Sequence, residues 1–472
     1  MTKIKIEPIK YIVRSCTQNV TPVRLKLFLV VNCLGAILFG LLAVATVQQH
    51  ERAVKTLGFD AAPSVIAARQ IKIGVEQMDT DLVIELLNPS CQRSTSWAAE
   101  DFDKWRLIVC KQLVAAAKNI TYGLTEQTPI ENIQSSLGQY EMQAQKALDM
   151  HDLGHHMLAV NSYRAALETL EHQLLPSADA LHKANADALE SSYGQEESQA
   201  ALSCGFVAVI GMLLIGLLLV TQVYLARRFR RRLNLPLLIA TFCLLFFVQK
   251  LYSTLMHNSS HLKVAKEDAY NSVIALLDVR ADSYEANAAM GRWLLDRLNA
   301  NEHEKTFSDK ANTVASFAPG HDFSETLELA KKQYAADEKF NLPGFSGSLA
   351  DEFNNVRFEG EGAAALGALQ ALNDYRIADA NMRKKAKSAA YDAALAIGLG
   401  YDPHAAKFSF SKFDDAIERT LEINQYHFDR AIKEAMSDLK GLALMSGGIC
   451  LLVLFCIYVG LRPRLFEYVR PI

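Results

Sequence analysis

Hydrophobic positions along the chain gather into four runs, residues 27–47, 202–225, 233–252 and 441–461. Each holds roughly 20 mostly apolar residues, the length an α-helix needs to cross the hydrocarbon core of a bilayer. The third run is the least clean, with Pro236 near its start and Gln249 and Lys250 near its end. A proline is tolerated in a first helical turn, and a lysine stem reaches the interface. The AVAT that closes the first run is compatible with signal cleavage at Ala45. The stretch before that run and the run itself are too long for a signal peptide, so it is read as a retained anchor.

Between the runs the pattern changes to helical periodicity. Ala68, Ile71, Val75, Met78, Leu82 and Leu86 recur at spacings of three and four and predict one amphipathic helix. Asp60 reads as its cap, with Pro63 in its first turn. Further helices are predicted from about 96 to 122, from Thr128 and Pro129 to Met150, and from Val160 into the second run, with a kink or break at Pro176. The second polar segment repeats the plan. Val273, Leu276, Leu277, Tyr284 and Leu294 mark its first helix, again opened by an aspartate, Asp268. Its middle is loop-like, and helices are predicted over 361–399 and from about 411 into the fourth run.

The two first helices share letters. DAAPSVIA from Asp60 and DAYNSVIA from Asp268 align without a gap, and the same register pairs Leu86 and Leu87 with Leu294 and Leu295, Lys72 with Arg280, and Asp79 with Asn287. The repeat sits at the same place relative to the apolar runs, so the chain reads as a duplicated module of span, helical bundle and span.

Charge sets the expected topology. Basic residues flank the first run, fill the short ARRFRRRLN loop (Arg227, Arg228, Arg230, Arg231 and Arg232) and follow the fourth run. Short basic loops stay in the cytoplasm. The layout is then a cytoplasmic N-terminus (1–26), a span (27–47), a first extracytoplasmic bundle (48–201), a span (202–225), a basic loop (226–232), a span (233–252), a second bundle (253–440), a span (441–461) and a cytoplasmic C-terminus (462–472). The fold class is all-α. The expected location is a cytoplasmic membrane, crossed four times with both termini inside. The arginine loop is a topology anchor that gathers anionic lipid, and no nucleic-acid partner is expected. Of the eight cysteines, only Cys91 and Cys110 fall outside the spans and the cytoplasmic N-terminus, and they are candidates for a disulfide, with two free buried thiols as the alternative.

A span, an extracytoplasmic four-helix bundle and a returning span resemble the ligand-binding region of bacterial chemoreceptors. The stretch from Ser162 to Tyr193 looks like the last bundle helix of such receptors. DAAPSVIAARQIK, YLARRFRRRLN, LKVAKEDAYNSVIALLDVRADSYEAN and NNVRFEGEGAAAL together resemble a family of four-span bacterial membrane proteins. One actinobacterial group in it is linked to extracellular amino-acid sensing with a solute-binding lipoprotein and a cytoplasmic Ser/Thr kinase. The resemblance implies partners of those two kinds, and a homodimer is left open. The segments read as cytoplasmic are too short for a signalling coiled coil, a kinase or a cyclase, so output would fall to another protein.

Candidate chemistry is sparse. His151, His155 and His156 straddle Gly154 without a fixed carboxylate partner, and His257 and His261 emerge just beyond the third span. Neither group is read as a metal site, and no cofactor is expected. No P-loop, GxSxG, HExxH or CxxC is present, which argues against an enzyme. The spans carry almost no ionisable residue, which disfavours transport. Lys72 and Arg280 are the matched cations of the repeat. A cation on an apolar stripe must be paired with an acid or reach a ligand. With Asp79, Asn287, Arg357, Glu359 and Glu361 they form the candidate ligand or partner contacts. The reading is a membrane sensor whose bundles bind a solute or a solute-binding protein, the alternative being a structural subunit of an envelope complex that docks through the bundles.

Overall fold

The computed structural model describes residues 21–87, 97–120, 123–229, 233–400 and 402–467. The chain is all-α, and four of its helical paths are long and apolar enough to cross a membrane. The first path is α1 (Thr21–Lys55), a π-helical turn (Thr56–Ala61) and α2 (Ala62–Leu87). It is followed by α3 (Trp97–Lys118), α4 (Leu124–Asp152) and α5 (His156–Thr169). A second π turn (Leu170–Leu174) then leads into α6 (Leu175–Phe229). The second half opens with α7 (Leu235–Lys263), a third π turn (Val264–Tyr270) and α8 (Asn271–Leu295). Its middle holds α9 (Ala300–Val314), β1 (Ser316–Phe317), α10 (Phe323–Ala335), β2 (Phe345–Ser346) and α11 (Ser348–Asn355). It ends with α12 (Glu361–Lys387), α13 (Tyr391–Leu399), α14 (Ala406–Leu439) and α15 (Leu442–Phe466).

Several expected boundaries move. Asp60 and Asp268 start no helix, because helix already surrounds each of them and both lie inside π turns. A π turn shifts the i→i+4 ladder by one residue, which lets Pro63, without an N–H, sit in an unbroken helical path. The same device precedes Pro176, where a kink or break is expected; the helical path is not broken there and continues to Phe229. Helix α4 begins five residues before Pro129. The helix expected over 361–399 is interrupted at 388–390, where Ala389 takes a left-handed φ of 63°. Gly441, at φ 75°, separates α14 from α15. The loop-like middle of the second half holds short helices and one antiparallel pair, Ser316 with Ser346 and Phe317 with Phe345.

The chain forms two compact units. One comprises Met1–Lys55, Ser192–Leu262 and Ile432–Ile472, and the other Thr56–Ser191 and Lys263–Ala431. The first is the span unit. Gly40 lets α1 approach α15 so closely that an added Cβ would stand 2.5 Å from Cys450 Sγ, and Gly211 lets α6 meet Val248 and Phe39. Gly205 and Gly216, by contrast, face open space. Asn32 donates to Thr221 Oγ1 at 2.9 Å, and Asn234 donates to the carbonyl of Gly460 at 2.8 Å. Two contacts join positions that the repeat equates. The rings of Phe39 and Phe247 meet edge-on at 6.2 Å, and His50 Nδ1 lies 3.1 Å from Asn258 Oδ1.

The second unit holds both modules, residues 56–191 and 263–431. Each keeps its own apolar core, around Ile71, Met78, Tyr140 and Tyr163 in the first and around Leu276, Tyr284, Tyr375 and Phe413 in the second. Trp105 packs against both cores. Their first helices, α2 and α8, lie against each other. Here too equated positions touch: Val83 occupies the space that a Cβ on Gly291 would approach to 3.0 Å.

Candidate functional site

The repeated letters have a structural job. Asn119, just past α3, donates to the carbonyl of Asp60 at 2.5 Å and to Ser64 Oγ at 2.7 Å. In the second module Asn355, the last residue of α11, donates to the carbonyl of Asp268 at 3.3 Å and to Ser272 Oγ at 2.7 Å. Carbonyls at the exit of a π turn are displaced from the regular ladder. An asparagine side chain meets them in both copies. The shared serine is thus part of a clamped π turn, to which the aspartate contributes only its backbone carbonyl.

The matched cations are paired. Lys72 Nζ reaches Asp179 at 3.0 Å and Glu285 at 3.3 Å. Arg280 holds Asp414 through Nε at 2.6 Å and Nη2 at 2.8 Å, and Tyr284 donates to the same carboxylate at 2.8 Å. Asp179 and Asp414 occupy the same place in the last helix of their modules. The tyrosines match as well: Tyr140 donates to Asp79 at 3.4 Å, and Tyr375 to Asn287 at 3.3 Å.

Between α2 and α8 runs a buried ionic seam centred on Arg292, which is 1% exposed. Its Nε donates to Asp79 at 2.8 Å, Nη2 to Glu76 at 3.0 Å and Nη1 to Glu171 at 3.2 Å, while Tyr163 donates to Asp79 at 3.1 Å. Burial pushes Glu76 up to about 8 despite the pull of Arg292. Glu171 is also raised, again chiefly by burial. Toward the start of the two helices the seam continues through Arg69, 2.6 Å from Asp278 and 2.8 Å from Asp179. Arg292 was not among the residues singled out from sequence. The signal was there in AAMGRWLL, an arginine enclosed by apolar neighbours at the end of a helix stripe.

Beside this seam both modules line a cleft of about 440 Å³. Trp105, Tyr284 and Phe410 supply aromatic walls, Trp97 a further ring, and Arg280 and Asn287 reach it from α8. Asp101, Lys104, Lys407, Asp415 and Glu418 add charges of both signs. Lys407 Nζ stands 2.9 Å from the centre of the Trp97 ring. Burial lowers this amine to about 8 against the pull of Asp81 and Asp101. Asp81, fully buried beside the cleft, is raised well above the usual carboxylate range by burial and by Asp101. Its Oδ1 accepts from Gln77 at 3.0 Å, and its Oδ2 has no hydrogen-bond partner among the described residues. Cations, carboxylates and ring faces together suit a small zwitterion.

The remaining sequence candidates lie elsewhere. Glu361 is buried and accepts from the backbone N–H of Arg357 at 2.6 Å, of Phe358 at 2.9 Å, and from Asn424 at 2.6 Å, so it fastens the turn into α12. Beside it Glu352 is pushed well above the usual range by burial and by the Glu361 charge. Arg357 is half-exposed, 3.8 Å from Asp268. Glu359 is exposed on a groove with Ala363, Gly367 and Tyr426. Cys110 is exposed and unbonded, while Cys91 lies outside the described residues. Arg227 and Arg228 end α6, and Arg230, Arg231 and Arg232 also lie outside the described residues.

The fold and these sites define an all-α, multi-pass membrane protein. Residues 53–194, the first module almost end to end, match the family model of the actinobacterial sensor domain. No curated protein and no solved structure matches the chain. The match covers less than a third of the chain and supports a sensing role for that module.

Proposed function

We propose that the chain is a sensor of the bacterial inner membrane, with both modules outside and both termini in the cytoplasm. The modules bind a small zwitterionic solute, or the solute-binding protein that carries it, and pass the state to a separate cytoplasmic partner such as a kinase. The observation that carries this reading is the cleft. It is lined from both modules, mixes Arg280, Lys407 and Asp101 with aromatic walls, and lies beside the helix pair that joins the modules. A ligand there contacts α3 on one side and α8 and α14 on the other, so it favours one packing of the modules over another. Only such a difference in affinity between two packings makes binding a signal. The π turns at Thr56–Ala61 and Val264–Tyr270 lie where helices from the spans continue into the modules, and their displaced ladders give those paths a place to yield.

The test is binding to the full chain in nanodiscs, with amino acids as probes, followed by crosslinking in native membranes. Amino-acid binding weakened at least about tenfold by Lys407→Ala, with a binding protein or kinase among the crosslinked partners, supports the reading. No binding of any amino acid and no such partner would overturn it.

A further inference from the structure

Within the span unit, α7 carries His257 and His261 one turn apart, and α14 carries Glu434 and Asp438 one turn apart. The pairs face each other. His261 Nδ1 lies 3.5 Å from Glu434 Oε2, and His261 Nε2 lies 3.6 Å from Asp438 Oδ2. One ligating atom from each of His257, His261 and Asp438 falls within 4.8 Å of the others. We propose that these side chains form a site for a first-row transition dication such as Zn²⁺.

The chemistry fits on three counts. Two imidazoles and a carboxylate are a familiar ligand set for zinc, with bonds of about 2.0–2.2 Å. Tetrahedral ligands at these bond lengths stand about 3.4 Å apart, so the three atoms need to close by at most about 1.5 Å, within reach of rotation of partly exposed side chains. Second, a ligating histidine usually gives its other N–H to a carboxylate, which fixes the tautomer. Glu434 stands at Nδ1 of His261 while Nε2 faces Asp438, so Glu434 is placed as orienter and Asp438 as ligand. Third, the hollow around them, about 470 Å³, is lined by Ser253, Thr254 and Ser437 and has room for a water ligand. Lys250 lines it too and opposes a cation, but the same hollow is lined by two carboxylates, Glu434 and Asp438. Imidazole ligands favour zinc, copper, nickel or cobalt over calcium and magnesium.

The first half of the chain supplies an internal control. The register that equates His50 with Asn258 places Gln49 and Ala53 where α7 has His257 and His261. The register that equates Asp179 with Asp414 places Gln199 and Ser203 where α14 has Glu434 and Asp438. Gln49 indeed donates to Gln199 Oε1 at 3.0 Å. The duplicated scaffold closes this position with a neutral amide pair. The histidines and acids are therefore an addition peculiar to the second half of the chain, and a bound metal would tie α7 to α14.

The experiment uses full-length, tag-free protein carrying Cys110→Ser, stripped with chelator and titrated with Zn²⁺ by calorimetry and with Co²⁺ by visible absorption. About one equivalent is expected to bind, with a tetrahedral or five-coordinate Co²⁺ spectrum. His261→Ala and Asp438→Asn should each weaken binding at least about tenfold, and Gln49→Ala should leave it unchanged. Melting temperatures of the metal-free variants separate a lost ligand from a lost fold, and His257→Gln offers a second, milder variant. Absence of stoichiometric binding in the folded parent, or binding indifferent to His257→Gln, His261→Ala and Asp438→Asn, would overturn the proposal.

Discussion

The first and second modules share a skeleton and differ in charge. Each has a π turn clamped by an asparagine, a cation on its first helix paired with an aspartate on its last, and a tyrosine that donates to the residue seven positions beyond that cation. Yet that residue is Asp79 in one and Asn287 in the other, and Arg292 stands where the first module has Ile84. Arg292 of the second module is the cation that faces the buried acids of the first. The two modules keep a common frame, and the departures from it join them. The seam and the His257 cluster lie where the repeat is broken, while the cleft includes the Arg280–Asp414 pair that the repeat keeps.

The largest effect that sharpens this comparison is expected at the seam. Arg292→Met leaves Glu76 and Asp79 buried without their cation and should cost about 3–5 kcal/mol, read by chemical denaturation. Adding Asp79→Asn and Glu76→Gln, the first of which copies the second module, should recover much of that loss. No recovery would mean that the seam is not what joins the modules.

The clamps come next. Asn119→Ala and Asn355→Ala should each cost about 1–3 kcal/mol, since a part-buried carbonyl and a buried serine hydroxyl each lose a donor. Similar losses are expected from the two, and a large loss from only one would break the structural equivalence.

A pH effect of a few kcal/mol at most follows from Glu76. Its folded pKa, about 8, lies above that of the unfolded chain, so the folded state holds a proton the unfolded state releases. The resulting stability is full below the ordinary glutamate range and is lost as pH rises toward 8. Melting temperature should therefore fall between about pH 5 and pH 8, with a flatter profile in Glu76→Gln. The smallest effect belongs to Arg357, half-exposed and weakly paired, where Arg357→Ala should change stability by no more than about 0.5 kcal/mol.

Much of the fold was legible in sequence. The four apolar runs, the helical periods and the D-A-x-x-S-V-I-A repeat foretell spans, helices and equivalent positions. Local start signals misled, because Asp60 with Pro63, and Asp268, looked like helix starts. Only tertiary structure shows that a π turn and a distant asparagine carry the helix through. Lys72 and Arg280 stood out as cations on apolar stripes, and the acids that meet them come from the last helix of each module, out of reach of any short window. Arg292 and Lys407 escaped notice for the same reason. Their meaning depends on which helix faces them, and periodicity is silent on that.

The most direct test of the central claim, a solute cleft shared by two unequal copies, is a thermal-shift titration of full-length protein in nanodiscs. The probes are zwitterionic amino acids, compared with their uncharged amide and decarboxylated analogues, on the parent, Lys407→Ala and Asp415→Asn. Stabilisation of the parent by at least one amino acid, lost with the analogues and weakened in both variants, is the predicted result. Stabilisation by no amino acid, or stabilisation unchanged in both variants, would contradict it.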